Sequence, residues 1–173
     1  MKYLSRIFIV VLFAATAVSA QKTTQTDVPV SSTQAPTIDK FDPTRDPVAD
    51  LKDAVAKAQS EHKRIILDIG GEWCIWCHHL DDFFTAHSDL LKIRETNYVW
   101  LKINMSPQNE NKPFLAAYPE ISGYPHLFVL ETDGSLLYSQ DTSFLEQGKS
   151  YNPSKVKDFL EKWVPAKPAT KGK

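Results

Sequence analysis

Cysteine is scarce in this chain, because only Cys74 and Cys77 occur among its 173 residues. Two cysteines allow a single disulfide within the chain, and their Cys-Ile-Trp-Cys spacing means that this bond would close a loop of four residues. In the chain-entropy model a loop this short adds little stability. A purely structural role is therefore a weak explanation for the pair, and a chemical role has to be considered.

The sequence also lacks an excess of charge and a long apolar run. Its 20 lysine and arginine residues nearly balance 21 aspartate and glutamate residues, which gives a net charge of −1. This balance gives no support for nucleic-acid binding. The apolar run at residues 7–15 is too short to span a bilayer, and no other segment is a better candidate.

The N-terminal residues instead have the pattern of a secretory signal peptide. Lys2 and Arg6 precede the apolar run, and Ala-Val-Ser-Ala at residues 17–20 has the small-x-small form of a cleavage site. We therefore predict a signal peptide over residues 1–20 and cleavage near Ala20. The mature protein is expected in the periplasm or the extracellular space, where conditions are oxidising and disulfides persist.

Composition divides the rest of the chain into three parts. Residues 21–45 begin with a stretch rich in Thr, Ser, Gln and Pro, which predicts a flexible linker. Residues 46–165 have the length of one ordinary domain, and they show no internal repeat. Residues 166–173 are basic and polar, and we expect a disordered tail. The protein is expected to be a monomer.

Turn and cap signals place the elements of this domain. Residues 64–69 and 98–104 are short apolar runs that suit buried strands. Residues 126–131 and 135–140 flank Thr-Asp-Gly, which predicts a hairpin. Helices are expected from Asp46-Pro47 and Asn152-Pro153, where an N-cap residue precedes a proline.

Two more helices complete the order of elements, one continuing from Cys74 through Leu91 and a short one from Pro113 to Tyr118. Strands that alternate with helices favour parallel pairing, and the hairpin adds an antiparallel edge. We therefore predict an α/β fold, with a four-stranded mixed sheet and helices on both of its faces.

The cysteine pair falls where the first strand is followed by a helix, a position at which open α/β sheets often carry their chemistry. Free backbone N–H groups and the helix dipole stabilise a thiolate there. Cysteines in such positions have pKa values of roughly 3.5 to 7.5. We predict that Cys74 is the exposed attacking thiol and that Cys77, one turn deeper, is the shielded thiol that releases the mixed disulfide.

Two other interpretations use the histidines that follow. Cys74 to His78 also fits the C-x-x-C-H pattern of c-type haem attachment. That interpretation needs a haem pocket and usually a second axial ligand, and the predicted order of elements is unlike that of a small helical cytochrome. A zinc site is less favoured, because the adjacent His78 and His79 point to different sides of a helix.

The segment LDIGGEWCIWCHHL, followed later by GYP, resembles the thioredoxin superfamily over most of residues 46–165. It is most similar to the exported thioredoxin-like branch that has a tryptophan before the second cysteine. Trp73 stands directly before the first cysteine, as it commonly does in that family. Asp68, Lys102 and Pro125 match the family's buried acid, the lysine near that acid and the cis-proline.

The resemblance implies a thioredoxin-like fold and a set of site residues. Cys74, Cys77, Asp68 and Lys102 would carry the chemistry, and Asp68, with a pKa raised by burial, would accept the proton of Cys77. A cis Tyr124–Pro125 bond would face the pair. Substrate-binding residues would form an apolar rim for an extended peptide: Trp73, Trp76, Tyr124 and Pro125.

Departures from the family pattern concern tuning and partner choice. The residues between the cysteines are Ile-Trp, and Asp81 and Asp82 stand in the region where the family often has a kinking proline. His126 follows Pro125 where thioredoxin has a small hydroxyl residue. His78 is expected to flank Cys74, and Asp81 to pair with His78.

Together these features predict an exported thiol–disulfide oxidoreductase that acts on protein thiols and disulfides and requires no organic cofactor or metal. A membrane-bound redox partner is expected, as an electron donor or as an oxidase, and the sequence leaves the direction of electron flow open. The alternative is a binding protein that has kept the fold with a structural disulfide.

Overall fold

The computed structural model describes residues 39–166. The predicted signal peptide, residues 21–38 of the predicted linker and residues 167–173 of the predicted tail lie outside the described residues. Within residues 39–166, no helix is long and apolar enough to cross a membrane.

A mixed sheet of four strands organises the domain, which confirms the predicted fold class. Its strands are β1 (Arg64–Gly70), β2 (Tyr98–Asn104), β3 (His126–Leu130) and β4 (Leu136–Asp141). Their order across the sheet is β2-β1-β3-β4. β1 pairs with β2 in parallel, whereas β3 is antiparallel to both β1 and β4.

Within residues 39–166 five α-helices surround the sheet, and the predicted N-cap residues start two of them. The helices are α1 (Pro47–Glu61), α2 (Ile75–Ala86), α3 (Ser88–Asn97), α4 (Lys112–Leu115) and α5 (Pro153–Lys162). Asp46 accepts a hydrogen bond from the Val48 N–H, and Asn152 accepts one from the Lys155 N–H. Each cap satisfies a backbone donor that has no partner within its helix.

The predicted continuous helix from Cys74 through Leu91 is wrong, because the chain breaks it at His87. There the backbone has φ −120° and ψ 78°, outside the helical region. The His87 N–H donates to the carbonyl oxygen of Phe83 at 3.1 Å, and His87 Nδ1 lies 2.8 Å from that oxygen. These contacts complete the end of α2, and α3 starts at Ser88.

Alternate residues of β1 point to opposite faces of the sheet. Ile65, Leu67 and Ile69 pack with Ala54 and Ala58 of α1 in one cluster. Ile66 belongs to the other cluster, with the apolar residues of α2 and α5. Asp68 and Gly70 follow Ile66 at the spacing of two, so they share the face that α2 covers.

The packed domain extends further toward the N-terminus than residue 46, the predicted start of the domain. Phe41 is only 2% exposed, and Asn109 Nδ2 donates to the carbonyl oxygen of Pro43 at 2.9 Å. Arg45 forms an ion pair with Asp50, which lies in the first turn of α1. Residues 41–45 therefore lie on the domain, and the ring of Phe41 reaches its interior.

A short segment between β4 and α5 has no counterpart in the predicted elements. It consists of a 3-10 helix (Thr142–Leu145) and a two-stranded hairpin, β5 (Glu146–Gln147) and β6 (Ser150–Tyr151). Tyr151 is 3% exposed and packs edge-on against Trp76 and Phe83. This segment therefore covers the start of α2.

Candidate active site

A disulfide between Cys74 and Cys77 stands at the N-terminus of α2. Cys74 is the N-cap residue, and its Sγ accepts a hydrogen bond from the Cys77 N–H at 3.1 Å. The preceding turn is held by the Cys74 N–H, which donates to the Gly71 carbonyl oxygen at 2.9 Å. Both sulfurs thus lie where unpaired N–H groups and the helix dipole stabilise negative charge on a thiolate.

Both cysteines are covered in this disulfide form, with exposures of 4% for Cys74 and 1% for Cys77. The prediction of an exposed Cys74 is therefore wrong for this form, although Cys77 is the more deeply buried of the two. The physical reason is a cover of aromatic side chains, because Phe41 forms a buried cluster with the two cysteines and Trp76 and Tyr124 pack against that cluster.

His78 contacts the turn that precedes the cysteines. Its Nε2 lies 2.8 Å from the carbonyl oxygen of Glu72, so the imidazole ties the first turn of α2 back to that turn. The bond between the two sulfurs and this contact favour the redox interpretation of the C-x-x-C-H segment over haem attachment. Within residues 39–166, no group of three or more His, Cys, Asp or Glu residues is arranged to hold a metal ion.

Asp68 is buried in the middle of β1, at 1% exposure. Its Oδ2 accepts a hydrogen bond from Trp100 Nε1 at 3.1 Å, and none of residues 39–166 offers a hydrogen-bond partner to its Oδ1. Burial raises the pKa of Asp68 to about 6, and the positive charge of Lys102 partly opposes this rise. Asp68 can therefore exchange a proton near neutral pH.

Lys102 lies directly opposite Asp68 in the parallel pairing of β1 with β2. Its ammonium group does not bond Asp68 but donates to both carboxylate oxygens of Asp81 in α2, at 2.8 and 2.6 Å. The expected pairing of Asp81 with His78 is therefore wrong. The reason is that Asp81 faces the sheet, where a buried lysine offers a stronger partner than a histidine on the helix surface.

Trp100 is a site residue that the sequence analysis did not single out. It is partly buried beside the hydrophobic core, and its indole N–H is the hydrogen-bond donor to Asp68. The available signal was its position in β2, two residues before Lys102. Residues two apart in a strand share a face, so Trp100 and Lys102 both point toward the side of the sheet that Asp68 occupies.

Gly70 connects Asp68 to the cysteine pair. A Cβ atom built on Gly70 would lie 2.4 Å from Cys77 Sγ, so this sulfur sits against the bare backbone at the end of β1. Asp68 is two residues earlier in the same strand and shares that face. The carboxyl of Asp68 and the sulfur of Cys77 are thus on the same side of the sheet, under α2.

The Tyr124–Pro125 peptide bond is cis, as predicted. The carbonyl oxygen of Pro125 accepts a hydrogen bond from Thr142 Oγ1 at 2.6 Å. Tyr124 packs against the buried cluster that contains both cysteines, and its ring meets Trp73 edge-on with 5.6 Å between centroids. The cis-proline loop therefore lies beside the cysteine pair.

The two tryptophans predicted at the rim have different environments. Trp73 is 55% exposed, and its indole N–H donates to the carbonyl oxygen of Met105 at 2.8 Å. Trp76 is half-buried against His79 and Tyr151, and the Tyr151 hydroxyl donates to its carbonyl oxygen at 3.1 Å. The segment between β4 and α5 thus holds both the Cys-x-x-Cys turn, through Tyr151, and the cis-proline, through Thr142.

His126 lies behind the cis-proline at the start of β3. It is 3% exposed, and its Nε2 lies 2.8 Å from the hydroxyl of Ser139 in β4. Burial lowers the pKa of the imidazole, against the opposing charge of Asp141. His126 therefore joins two strands as a neutral side chain.

An open groove of about 750 Å³ runs along the outer side of Trp73. Five apolar residues line it together with five polar ones, two of which are glutamates: Phe41, Pro43, Trp73, Met105 and Pro107, and Glu72, Asn104, Ser106, Gln108 and Glu110. An exposed indole beside such a groove is the kind of surface on which an extended peptide packs.

Known proteins share the sequence pattern and the fold of this chain. Residues 46–132, half of the chain, match the family model described as thioredoxin-like. Over 97 residues the chain is 29% identical to the thiol:disulfide interchange protein DsbD of Colwellia psychrerythraea. The alignment covers 56% of this chain and 16% of that protein, so the chain spans a small part of the relative's length.

Two solved structures have a similar fold. A disulphide isomerase from Xylella fastidiosa Temecula1 matches with a TM-score of 0.61 and 24% identity, over 70% of this chain and 94% of that chain. The reduced C-terminal domain of DsbD from Neisseria meningitidis matches with a TM-score of 0.51 and 25% identity, over 68% of this chain and 96% of that domain.

Proposed function

Since the chain belongs to the thioredoxin-like family, we propose that it is an exported thiol–disulfide oxidoreductase that exchanges disulfides with proteins through Cys74 and Cys77. The observation that carries this proposal is the disulfide at the N-terminus of α2, beside the cis-proline loop. A thiolate at Cys74 is stabilised there, and the second sulfur is already within bonding distance. A protein that used the fold only for binding would need neither feature.

The proposed exchange has two steps. The Cys74 thiolate attacks one sulfur of a substrate disulfide, so that a Cys74–substrate disulfide forms and the other substrate sulfur leaves as a thiolate. Cys77 then loses its proton and attacks Cys74 Sγ, which forms the Cys74–Cys77 bond and releases the second substrate thiolate. Two electrons pass from the cysteine pair to the substrate, and the reverse sequence oxidises a substrate dithiol.

Five other residues have proposed roles in this exchange. Asp68 accepts the proton of Cys77, since it is buried on the face of β1 that Cys77 Sγ contacts. Lys102, which is paired with Asp81, keeps a positive charge near the carboxylate of Asp68. Trp73 and Tyr124, which pack together beside the cysteines, bind the substrate chain, and Trp76 extends this apolar surface.

The cis-proline loop gives the substrate a backbone partner. Pro125 has no N–H, so hydrogen bonds to an extended substrate strand would come from the backbone of Tyr124. Main-chain pairing of this kind is independent of substrate sequence, which suits an enzyme that acts on many proteins. The partners proposed are therefore protein thiols and disulfides, together with a membrane-bound redox protein that renews the pair.

Export and exchange are tested together by expressing the full chain in a Gram-negative bacterium. We expect the protein in the periplasm with Gln21 as its first residue, and the purified protein should catalyse reduction of a protein disulfide by a small dithiol. Leu12→Arg, which places a charge in the apolar run of the signal, is the control and should stay uncleaved. An uncleaved wild-type chain in the cytoplasm would contradict export, and a purified protein without exchange activity would contradict the proposed reaction.

A further inference from the structure

Phe41 lies outside the stretch that the family model matches, yet its ring is part of the redox centre. The family match begins at residue 46. Phe41 is 2% exposed and forms one buried cluster with Cys74 and Cys77. This side chain comes from a segment that precedes the matched domain, yet it packs beside the two reactive sulfurs. Its position suggests a role in the redox chemistry in addition to core stability.

Gly70 shows how closely the ring approaches the second sulfur. A Cβ atom on Gly70 would lie 2.4 Å from Cys77 Sγ and 3.0 Å from Phe41 Cζ. The edge of the ring and the sulfur therefore meet over backbone that has no side chain. Any larger residue at position 70 would displace the ring or the sulfur. The close packing of Phe41 against Cys77 therefore requires glycine at position 70.

Two backbone hydrogen bonds and one contact of the ring hold Phe41 in place. The Phe41 N–H donates to Glu72 Oε1 at 2.9 Å, which ties the segment to the turn before Cys74. The Pro43 carbonyl oxygen accepts from Asn109 Nδ2 at 2.9 Å. Lys102 Nζ lies 4.4 Å from the ring centroid, a distance that favours a cation–π contact.

We propose that Phe41 is a positioning residue that shields Cys77 from small thiols and water, so that exchange with the outside occurs only at Cys74. This inference rests on the division of roles between Cys74 and Cys77 proposed above. A small-molecule thiol that attacked Cys77 Sγ would form a disulfide there and release Cys74 as a thiolate, which would place the mixed disulfide on the wrong sulfur. With the ring in place, Cys77 reacts only with Cys74 Sγ.

The test measures how fast iodoacetamide alkylates Cys77 as the single thiol of the full-length Cys74→Ser protein. Adding Phe41→Ala should raise the alkylation rate of the folded protein at least roughly tenfold, because the sulfur then reacts without a local opening. Phe41→Leu restores apolar cover and should return the rate to within about threefold of the parent. Phe144→Ala removes a phenylalanine that is 71% exposed and should change nothing.

Near-UV circular dichroism and thermal unfolding show whether each variant is folded, and Phe41→Val replaces Phe41→Ala if the latter unfolds. An unchanged alkylation rate in the folded small-residue variant would overturn the shielding role. So would Phe41→Leu reacting as fast as Phe41→Ala, since apolar cover would then not matter. Alkylation of Cys77 does not require exchange activity, so this test is independent of the proposed function. A failure of the proposed function would instead appear as a wild-type protein that exchanges no disulfides.

Discussion

Cys77→Ser should accumulate mixed disulfides with substrate proteins, whereas Cys74→Ser should accumulate almost none and lose its exchange activity. The asymmetry follows from the position of each sulfur at the start of α2. Cys74 is the N-cap residue beside the cis-proline loop, and Cys77 is the more deeply buried and lies against Gly70. Without Cys77, the disulfide between Cys74 and a substrate has no internal thiol to break it, so the complex persists.

Non-reducing gels of acid-quenched cells check this result, since acid protonates thiolates and stops further exchange. The double variant Cys74→Ser/Cys77→Ser is the matched control, and a reducing agent should release every trapped partner. Equal trapping by both single variants would contradict the assignment of roles. No trapping by either single variant would favour the alternative of a binding protein with a structural disulfide.

Asp68→Asn should slow release of the mixed disulfide by on the order of 100-fold near neutral pH, as expected for loss of a general base. The carboxylate accepts a proton only when it is ionised. Because burial raises the pKa of Asp68 to about 6, the wild-type release rate should rise from pH 5 to 7 and then level off. Stopped-flow measurement of the release step gives both profiles, and a wild-type inflection that survives in Asp68→Asn would assign the inflection to another group.

The same substitution should change how stability depends on pH. A carboxyl whose folded pKa is raised stabilises the fold fully below its unfolded value of 3.8, and this contribution is lost as the pH rises through about 6. One unit of pKa corresponds to about 1.4 kcal/mol, so the cost of ionising Asp68 is on the order of 3 kcal/mol.

Asparagine does not ionise, so the variant's free energy of unfolding does not change with titration at this site. The free energy of unfolding of oxidised Asp68→Asn, minus that of the wild type, should therefore increase by about 2 kcal/mol between pH 4 and pH 7. Urea unfolding at both pH values measures this difference. Asp133→Asn, which changes a carboxylate in the exposed turn before β4, is the control and should show no such increase. A pH-independent difference for Asp68→Asn would mean that Asp68 stays ionised throughout this range.

The strands and most helix starts could be predicted because their signals are local. β1 and β2 are apolar runs, and Asp46 and Asn152 combine a capping side chain with a following proline. The break at His87 was not predicted, since Leu90 and Leu91 continue the apolar pattern of α2 across it. The segment between β4 and α5 contains elements of only two to four residues, which are too short to show a period.

Part of the candidate site could be predicted from the sequence. The redox pair is predicted from its spacing and its place before a helix, whereas the cis Tyr124–Pro125 bond and the burial of Asp68 are predicted from the resemblance to the thioredoxin superfamily. The pairing of Lys102 with Asp81 depends on how α2 lies on the sheet, which no local pattern encodes. The sequence predicts a linker at Phe41, because a single apolar residue among polar ones has no periodicity. The role of Phe41 depends on its packing beside Gly70, which only the folded chain creates.

The reduction potential of the Cys74–Cys77 pair tests the central claim most directly. It is measured by equilibrating the full-length protein with glutathione redox buffers and counting free thiols by mass spectrometry after acid quenching and alkylation. We expect a potential between roughly −120 and −270 mV, the range of disulfides that exchange with protein partners. A potential below about −300 mV, as structural disulfides have, would contradict the account.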